Sequence, residues 1–303
     1  RRDFTLNALY YCPSNGKILD FCGGLDDLER GQLRLIGDPE TRYREDPVRM
    51  LRAIRFRAKL EFKLHPDVVA PLDELAPLLF DIPPARMFDE VLKLFMHGSA
   101  LDTYTELQDH GLFGYLFPSC QRFIHQQDSV TIHFIESMLR NTDTRIKQGK
   151  PVTPAFLYGA LLWPATRQQY AALCKQGIPP VPALQQAATG SIEHQLKHTT
   201  IPRRFSTIMR EIWELQPRLE VPQGRKPELM PELKRFRAAY DFLLLREEAG
   251  EATHSMAAWW TRYQESDESR RQQLIGELKP EKRKRKPRKK RRKPTSTLPP
   301  PPS

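Results

Sequence analysis

The sequence predicts a mostly helical protein with a small mixed α/β segment at its N-terminal end. Strand-like stretches are confined to the first 38 residues, where 9–12 and 17–21 flank Ser14-Asn15-Gly16, a favoured hairpin turn. After Asp38-Pro39 the apolar residues follow a helical spacing, and we expect no convincing strand beyond residue 40. Because the β-rich portion is too small to bury a core of its own, we expect it to be the edge of a larger α/β domain.

The helix expected at residues 47–59 carries its basic residues on one side and its apolar residues on another. Asp46 is a suitable N-cap, and Pro47 suits the first helical position, where its missing N–H costs nothing. Arg49, Arg52 and Arg55 fall within about a third of the helix circumference, and apolar residues occupy another arc. Such a helix buries one side and presents guanidinium groups, which match phosphates and base edges, on another. A solvated basic face is the alternative.

Further segments with helical or strand spacing, separated by prolines and glycines, extend along most of the chain. No repeat of fixed period is visible. A short helix is expected at 25–29 and a short strand at 33–36. The remaining expected helices are 66–80, 85–97, 101–110, 132–141, 154–162, 167–176, 182–189, 192–198, 202–213, 232–248 and 254–263.

The composition excludes several classes of protein. Hydrophobic residues make up 39% and charged residues 28% of the 303 residues, which is ordinary for a soluble chain. The four cysteines form no Cys-x-x-Cys pair, which argues against a disulfide framework or a zinc site and fits a reducing cytoplasm. No apolar run reaches membrane-spanning length, so we expect no stable membrane insertion.

The net charge of +11 comes from one segment of the chain. Residues 279–294 contain twelve Lys or Arg and one Glu, and the remainder is neutral, with 36 residues of each sign. This block repels itself and has no apolar face, so we expect a disordered basic and Pro-rich tail over 278–303. It should bind RNA with little sequence preference, although an anionic membrane surface is an alternative target. The candidate RNA-binding residues are Lys282, Arg283, Lys284, Arg285, Lys286, Arg288, Lys289, Lys290, Arg291, Arg292 and Lys293.

Three motifs, in order and with characteristic spacing, resemble those of class II nucleotidyltransferases. They are Arg1-Arg2-Asp3-Phe4-Thr5-x-Asn7-Ala8, Asp20-Phe21-x-Gly23-Gly24-x-x-Asp27-Leu28-x-x-Gly31-x-Leu33-Arg34 and Glu45-Asp46-x-x-Arg49-x-x-Arg52-x-x-Arg55-Phe56. The family includes bacterial poly(A) polymerases and CCA-adding tRNA nucleotidyltransferases. Residues 141–145, 210–213 and 236–241 and the basic tail look like the poly(A) polymerase branch.

The resemblance implies a role for each residue of a nucleotide-binding site. Asp3 would contact the ribose hydroxyl, and Arg2 would lie near the triphosphate. Asp46 and Arg49 would read the base edge, with Asp46 orienting Arg49, and Arg52 would reach toward phosphate. For Arg2 and Asp3, a surface ion pair or turn is the alternative. Gly23-Gly24 would form a joint beneath the nucleotide, or a simple strand-ending turn.

The family's first motif, which carries the carboxylates that bind two magnesium ions, has no counterpart in this sequence. We therefore identify no catalytic residue and no metal ligand in the chain and expect it to be inactive by itself. Asp26-Asp27 and Asp241 are expected to be solvated or capping carboxylates. His194 and His198, four residues apart, lack a third ligand, and Trp213, Trp259 and Trp260 are expected in the core rather than stacked on RNA.

The resemblance implies a domain order and an activity. Residues 1–38 would be the C-terminal part of a nucleotidyltransferase palm, and 39–130 a neck. The neck would contain the helix expected at 47–59, which we call the recognition helix. Residues 131–277 would be an RNA-binding body, and 278–303 the tail. The full-length protein would transfer AMP from ATP to RNA 3′ ends with Mg²⁺, promoting RNA decay in a bacterial cytoplasm. RNA-degradation proteins are candidate partners, and we expect a monomer. A CCA-adding enzyme and a non-catalytic RNA-binding protein are the alternatives.

Overall fold

The computed structural model describes residues 2–221 and 227–278. The basic residues from Lys282 to Lys293 and the rest of the expected tail from 279 lie outside the described residues. Within them the chain is mostly helical, and one continuous apolar core extends from Phe4 near the N-terminus to Leu274 in the final helix. This confirms the predicted fold class.

The N-terminal segment contains the predicted hairpin. Strand β1 (Tyr10–Cys12) pairs antiparallel with β2 (Lys17–Leu19), with Tyr10 opposite Leu19. Helix α1 (Gly24–Glu29) follows, and the carboxylate of Asp20 accepts hydrogen bonds from the main-chain N–H groups of Cys22 and Leu25, which fixes the turn into the helix.

A parallel strand pair encloses the recognition helix, contrary to expectation. Strand β3 (Gln32–Leu33) pairs with β4 (Lys63–Leu64), although two helices separate these strands in the sequence. The N–H of Lys63 donates to the carbonyl of Gly31 at 2.8 Å, and that of His65 donates to the carbonyl of Leu33 at 2.9 Å. The expectation of no strand beyond residue 40 was wrong because a two-residue strand is too short to show an alternating pattern.

Two helices lie between these strands, of which the sequence predicted one. Helix α2 (Pro39–Glu45) was missed: it is short and charged, and Tyr43 is its one buried side chain. The side chain of Asp38 caps it by accepting from the N–H of Thr41. Helix α3 (Val48–Leu60) matches the prediction for 47–59, but the expectation that Asp46 is its N-cap was wrong: Asp46 is the C-cap of α2, and Pro47 lies at the N-cap of α3.

The region between residues 66 and 125, called the neck here, consists of short helices, and its two longest, Pro84–Phe95 and Ala100–Asp109, pack against α3. Its long helix α6 has Pro84 in its first turn, where proline fits without losing a hydrogen bond. The segment expected to be one helix at 66–80 breaks at Ala70-Pro71 and ends in a 3₁₀-helix at Ala76–Asp81. The helices are α4 (Pro66–Val69), α5 (Leu72–Leu75), α6 (Pro84–Phe95), α7 (Ala100–Asp109), α8 (Phe113–Leu116) and α9 (Pro118–His125).

The body is an array of longer helices. Two pairs of predicted helices merge, so that α11 continues through Pro164 and α12 replaces the segments at 182–189 and 192–198. Pro164 is buried, and tertiary packing along α11 offsets the roughly 3 kcal/mol that an interior proline costs. The helices are α10 (Ser129–Lys147), α11 (Pro154–Lys175), α12 (Pro180–Gln195), α13 (Arg203–Glu220), α14 (Phe236–Glu248), α15 (Met256–Glu265) and α16 (Glu268–Glu277).

The tryptophans of the body belong to the core, as expected. Trp213 and Trp260 are fully buried, and their indole N–H groups donate to the carbonyls of Gly159 and Leu219 at 3.1 and 3.0 Å. They are therefore not available to stack on RNA. Within the described ranges, no helix is long and apolar enough to span a bilayer.

Replacing Gly24 with alanine should destabilise the N-terminal segment. A Cβ at this position would lie 2.4 Å from the main-chain carbonyl oxygen of Thr5, so the backbone would have to shift. We expect Gly24→Ala to lower the free energy of unfolding by about 1–3 kcal/mol, measured by denaturant titration. The matched control is Gly276→Ala in α16, where nothing lies within 4 Å of the new Cβ. Equal stability of the two variants would contradict this account.

Candidate nucleotide-recognition site

The carboxylate of Asp3 joins the N-terminal segment to the recognition helix. Its Oδ1 accepts a hydrogen bond from Nε of Arg49 at 3.0 Å, and its Oδ2 accepts one from Nε of Arg52 at 2.7 Å. The two arginines are three residues apart on α3 and therefore lie on one face. Residues predicted from two separate motifs thus meet in one cluster.

Main-chain pairing places Asp3 above α3. The N–H of Ile36 donates to the carbonyl of Asp3, and the N–H of Thr5 donates to the carbonyl of Arg34. Phe4, between these bonds, is fully buried and meets the ring of Phe56 edge-on, with centroids 5.4 Å apart. Because neighbouring side chains on extended backbone point in opposite directions, burial of Phe4 turns Asp3 toward the open side.

A buried carboxylate supports this arrangement from below. Asp27 on α1 is 1% exposed and accepts from the hydroxyl of Thr5 at 2.6 Å and from Nε and Nη2 of Arg34 at 3.0 and 2.9 Å. The expectation that Asp27 is solvated or capping was wrong, because two donor side chains compensate its burial. The spacing of Asp27 and Arg34 within one motif was the available signal.

Arg49 is held by further groups at the end of α2. Its Nη1 donates to the carbonyl of Arg42 at 2.7 Å and to Oε2 of Glu45 at 3.1 Å, and its side chain is only 14% exposed. Arg42 also pairs with Glu45, and its Nη2 donates to the carbonyl of Arg2 at 3.3 Å. Arg2 itself is exposed. Glu45 therefore braces two arginines.

Asp46 has a different partner from the one expected. Its Oδ2 accepts from Nη2 of Arg86 on α6 at 2.7 Å, whereas Arg49 points to Asp3 and Glu45. The expectation that Asp46 orients Arg49 is therefore not met. Arg86 is a residue that sequence reasoning missed as a member of the site, although it lies in the expected first turn of the neck helix.

Two arginines of this face, Arg52 and Arg55, also pack against an aromatic ring. The guanidinium carbons of Arg52 and Arg55 lie 5.6 and 4.9 Å from the centroid of Phe56. Burial, followed by the charge of Arg52, lowers the pKa of Arg55. Arg55 therefore has a packing role, while Arg49 and Arg52 contact the carboxylate of Asp3.

Electrostatics keeps Asp3 ionised. Partial burial opposes its charged form, but the hydrogen bond from Arg49 and the charges of Arg52 and Arg49 outweigh this, so the pKa of Asp3 lies below its usual range. A carboxylate acceptor beside guanidinium donors can bind a hydroxyl and an anion side by side.

Three models of one family match the chain. They are described as the poly(A) polymerase head domain (residues 1–34), the probable RNA and SrmB-binding site of polymerase A (61–124) and the polymerase A arginine-rich C-terminus (176–294), and together they match more than half of the chain. The chain belongs to the poly(A) polymerase family. The head-domain match ends at Arg34, the last residue of the motif that holds Asp27, and the arginine-rich match runs from the end of α11 into the basic tail.

Curated poly(A) polymerases are similar over nearly the whole chain. Poly(A) polymerase I of Salmonella typhi is 41% identical over 282 residues, which are 92% of this chain and 61% of the relative. That of Haemophilus influenzae is 43% identical over 280 residues, 91% of this chain and 62% of the relative. The chain thus spans about three fifths of the length of these poly(A) polymerases. A CCA-adding enzyme of Levilactobacillus brevis is 40% identical over 115 residues, 38% of this chain and 29% of that enzyme.

Solved structures share the fold. A structure titled tRNA-processing enzyme (apo form 2) superposes with a TM-score of 0.56 at 17% identity, covering 91% of this chain and 73% of that one. A CCA-adding enzyme solved with CTP gives a TM-score of 0.54 at 18% identity, covering 91% and 62%. This chain therefore has the helical architecture of these structures.

The Asp3 cluster should make stability depend on pH in a definite direction. Asp3→Asn should lower the free energy of unfolding by about 1 kcal/mol at neutral pH, because two arginines lose an anionic partner. The pKa of Asp3 is lowered on folding from 3.8, so its contribution is complete above that value and is lost as the pH falls through the folded pKa.

The test is to measure the unfolding free energy of both proteins as the pH is lowered. The difference between them should shrink in acid. Asp26→Asn, at an exposed position of α1, is the control and should show a much smaller difference. A constant difference across the acid range would rule out this linkage.

Proposed function

We propose that the full-length protein is a poly(A) polymerase, which transfers AMP from ATP to RNA 3′-hydroxyl groups and releases pyrophosphate. The observation that carries the proposal is the contact of Asp3 with Arg49 and Arg52, which unites the head segment and the recognition helix in one site. Template-independent addition needs protein groups that select the base. A rigid set of guanidinium and carboxylate groups meets this need.

Each residue of the site has an assigned part in this proposal. Asp3 accepts the ribose hydroxyl, since each of its oxygens keeps a lone pair after binding one arginine. Arg49 and Asp46 read the base edge, with Arg49 held by Asp3 and Glu45 and Asp46 held by Arg86. Arg52 contacts phosphate.

Arg2 completes the nucleotide-binding set. It is exposed beside this cluster, where its carbonyl accepts a hydrogen bond from Arg42, and we assign its guanidinium group to the triphosphate. The nucleotide-binding residues proposed are therefore Arg2, Asp3, Asp46, Arg49 and Arg52.

The described part of this chain contains no cluster of potential metal ligands. Among residues 2–221 and 227–278, no group of three or more His, Cys, Asp or Glu side chains could hold a metal ion. We propose that the Mg²⁺ ions of the reaction bind to carboxylates in the part of the head domain that this chain does not span. We therefore expect nucleotidyl transfer only from the longer protein.

An exposed apolar surface supports a larger head domain. On the hairpin and the turn after it, Tyr11 is 67%, Ile18 53% and Phe21 78% exposed. Soluble proteins rarely leave such a cluster in water, so this face is expected to pack against further chain. The division into palm, neck, body and tail at 38, 130 and 277 remains our proposal.

Polyadenylation is favoured over CCA addition by the extent of the similarity. The poly(A) polymerases align along the neck and body, whereas the CCA-adding enzyme aligns over little more than a third of the chain. We propose a role in RNA decay in the cytoplasm of a bacterium, with RNA-degradation proteins as partners and a monomeric enzyme. RNA binding without catalysis is the description that applies if the longer protein has no nucleotidyl transfer activity.

A primer-extension assay on the full-length protein tests the activity. With ATP, Mg²⁺ and an RNA primer we expect long adenylate tails, and with tRNA lacking its end we expect no selective addition of two C residues and one A. Arg49→Lys should lower kcat/KM for ATP about 10–100-fold, because lysine cannot keep the forked contacts to Asp3 and Glu45.

Arg44→Lys on α2 is the matched control. Arg44 is half-exposed and pairs with Glu40, away from the cluster, so its variant should retain parental kcat/KM. Absence of any product from the unaltered full-length protein would refute the polymerase, and selective repair of tRNA ends would favour the CCA-adding alternative.

Removal of the basic tail should weaken RNA binding. Truncation before Lys279 removes twelve cations, and the slope of log K against log salt should flatten by about 0.7 for every ion pair to phosphate that disappears. Truncation before Thr295 keeps the cations and removes only the Pro-rich end, so it should bind like the parent. An unchanged salt slope after the longer truncation would count against this role of the tail.

A further inference from the structure

A second concave site lies in the body. Helices α10, α11, α13, α14 and α15 surround a cleft of about 1050 Å³. Its volume is at the upper end of the range of roughly 300–1,000 Å³ for ligand pockets. None of the residues proposed to bind the nucleotide lines it.

The floor of the cleft is apolar. Met138, Leu157, Ile212 and Leu245 are at most 3% exposed and form its base, and the half-buried ring of Phe156 lies beside them. Such a surface binds flat or aliphatic groups by excluding water. The same apolar surface offers no hydrogen-bonding groups for a highly polar ligand such as a free sugar.

Positively charged side chains line the rim of the cleft. Arg145 is fixed in place, because its Nε and Nη2 both donate to the carbonyl of Pro151 at 3.3 and 3.2 Å. Lys234 and Arg262 are exposed, and no ion pair joins them to a carboxylate within the part of the chain that the structure describes. These three positive charges are therefore not neutralised by the protein.

Arg237 adds a flat surface at the same rim. Its guanidinium lies over the ring of Tyr240, 5.6 Å from the centroid, and pairs with Asp241 at 3.0 Å, while its side chain is 75% exposed. A guanidinium plane held in this way can stack on a nucleobase. Asn141, exposed on α10, supplies an amide within the same cleft.

The acidic residues of the cleft are mostly engaged. Glu247 accepts from the N–H groups of Ala257 and Ala258 and from the hydroxyl of Thr253, and so caps the start of α15. Asp241 is paired with Arg237, and Glu248 accepts from the hydroxyl of Ser137 at 3.3 Å. Only Glu248 keeps an exposed carboxylate, so the rim attracts anions.

We propose that this cleft binds a segment of the single-stranded RNA substrate, an inference that rests on the proposed polyadenylation activity. Bases lie on the apolar floor and against Arg237, and phosphates contact Arg145, Lys234 and Arg262. An apolar or planar platform flanked by cations is the general arrangement for single-stranded nucleic acid. The exposed guanidinium plane favours a nucleobase over an acidic peptide, for which a charged rim alone would suffice.

Charge reversal at the rim of the full-length protein tests the inference. The double variant Lys234→Glu/Arg262→Glu should bind a short oligoadenylate about tenfold more weakly than the parent, measured by fluorescence anisotropy. Its salt slope should be lower by about 1.4, because two ion pairs to phosphate are removed. The control is Lys175→Glu/Arg203→Glu, which has the same net charge and alters exposed residues outside the cleft. It should bind almost as tightly as the parent.

Photo-crosslinking locates the RNA independently of charge. An oligoadenylate carrying azidoadenine should label peptides that contain 138–145, 151–157 or 234–245, and the Lys234→Glu/Arg262→Glu variant should lose this labelling. Equal weakening in the two double variants, or labelling only elsewhere, overturns the inference and leaves the cleft to a protein partner.

The primer-extension assay separates this inference from the proposed activity. Normal polyadenylation with no labelling in the cleft overturns the cleft inference alone. Labelling in the cleft without any adenylate product supports RNA binding there and overturns the polymerase.

Discussion

The shared carboxylate of Asp3 is the contact on which the site depends. It accepts from Arg49 and Arg52 of the recognition helix, and it is aimed by the burial of Phe4 on the same segment. The buried carboxylate of Asp27, paired with the partly exposed Arg34, holds that segment from the other side through Thr5. The contacts of Asp3 with Arg49 and Arg52 are the ones that fix the N-terminal segment relative to α3.

Carboxylates also join helices elsewhere in the molecule. Asp143 on α10 accepts from the N–H groups of Ala100 and Leu101 at 2.7 and 3.0 Å and so caps the start of α7 in the neck. Glu247 does the same for α15 within the body. Anions at helix N-termini are stabilising, and here they come from distant parts of the sequence. The neck and body are thereby linked by polar contacts as well as by the continuous core.

Local patterns were enough to predict much of the fold and the members of the site, but not how they pair. Ser14-Asn15-Gly16 specified the hairpin, and the spacing of Arg49 and Arg52 specified a shared face. The choice of Asp3 over Asp46 as the partner of Arg49 depends on main-chain pairing across more than thirty residues, which no local pattern encodes. Strand β4 and the passage of α11 through Pro164 likewise depend on tertiary packing.

The pairing of β3 with β4 has a mechanical consequence. The loop of chain that contains α2 and α3 is tied at both of its ends, so α3 and its arginines keep their position relative to β3 as long as that ladder is intact. A nucleic acid template presents its own ruler to the incoming nucleotide. Under the proposed function, the closed loop of backbone would do this instead, and the pairing of its two short strands would fix the position of the arginines of α3.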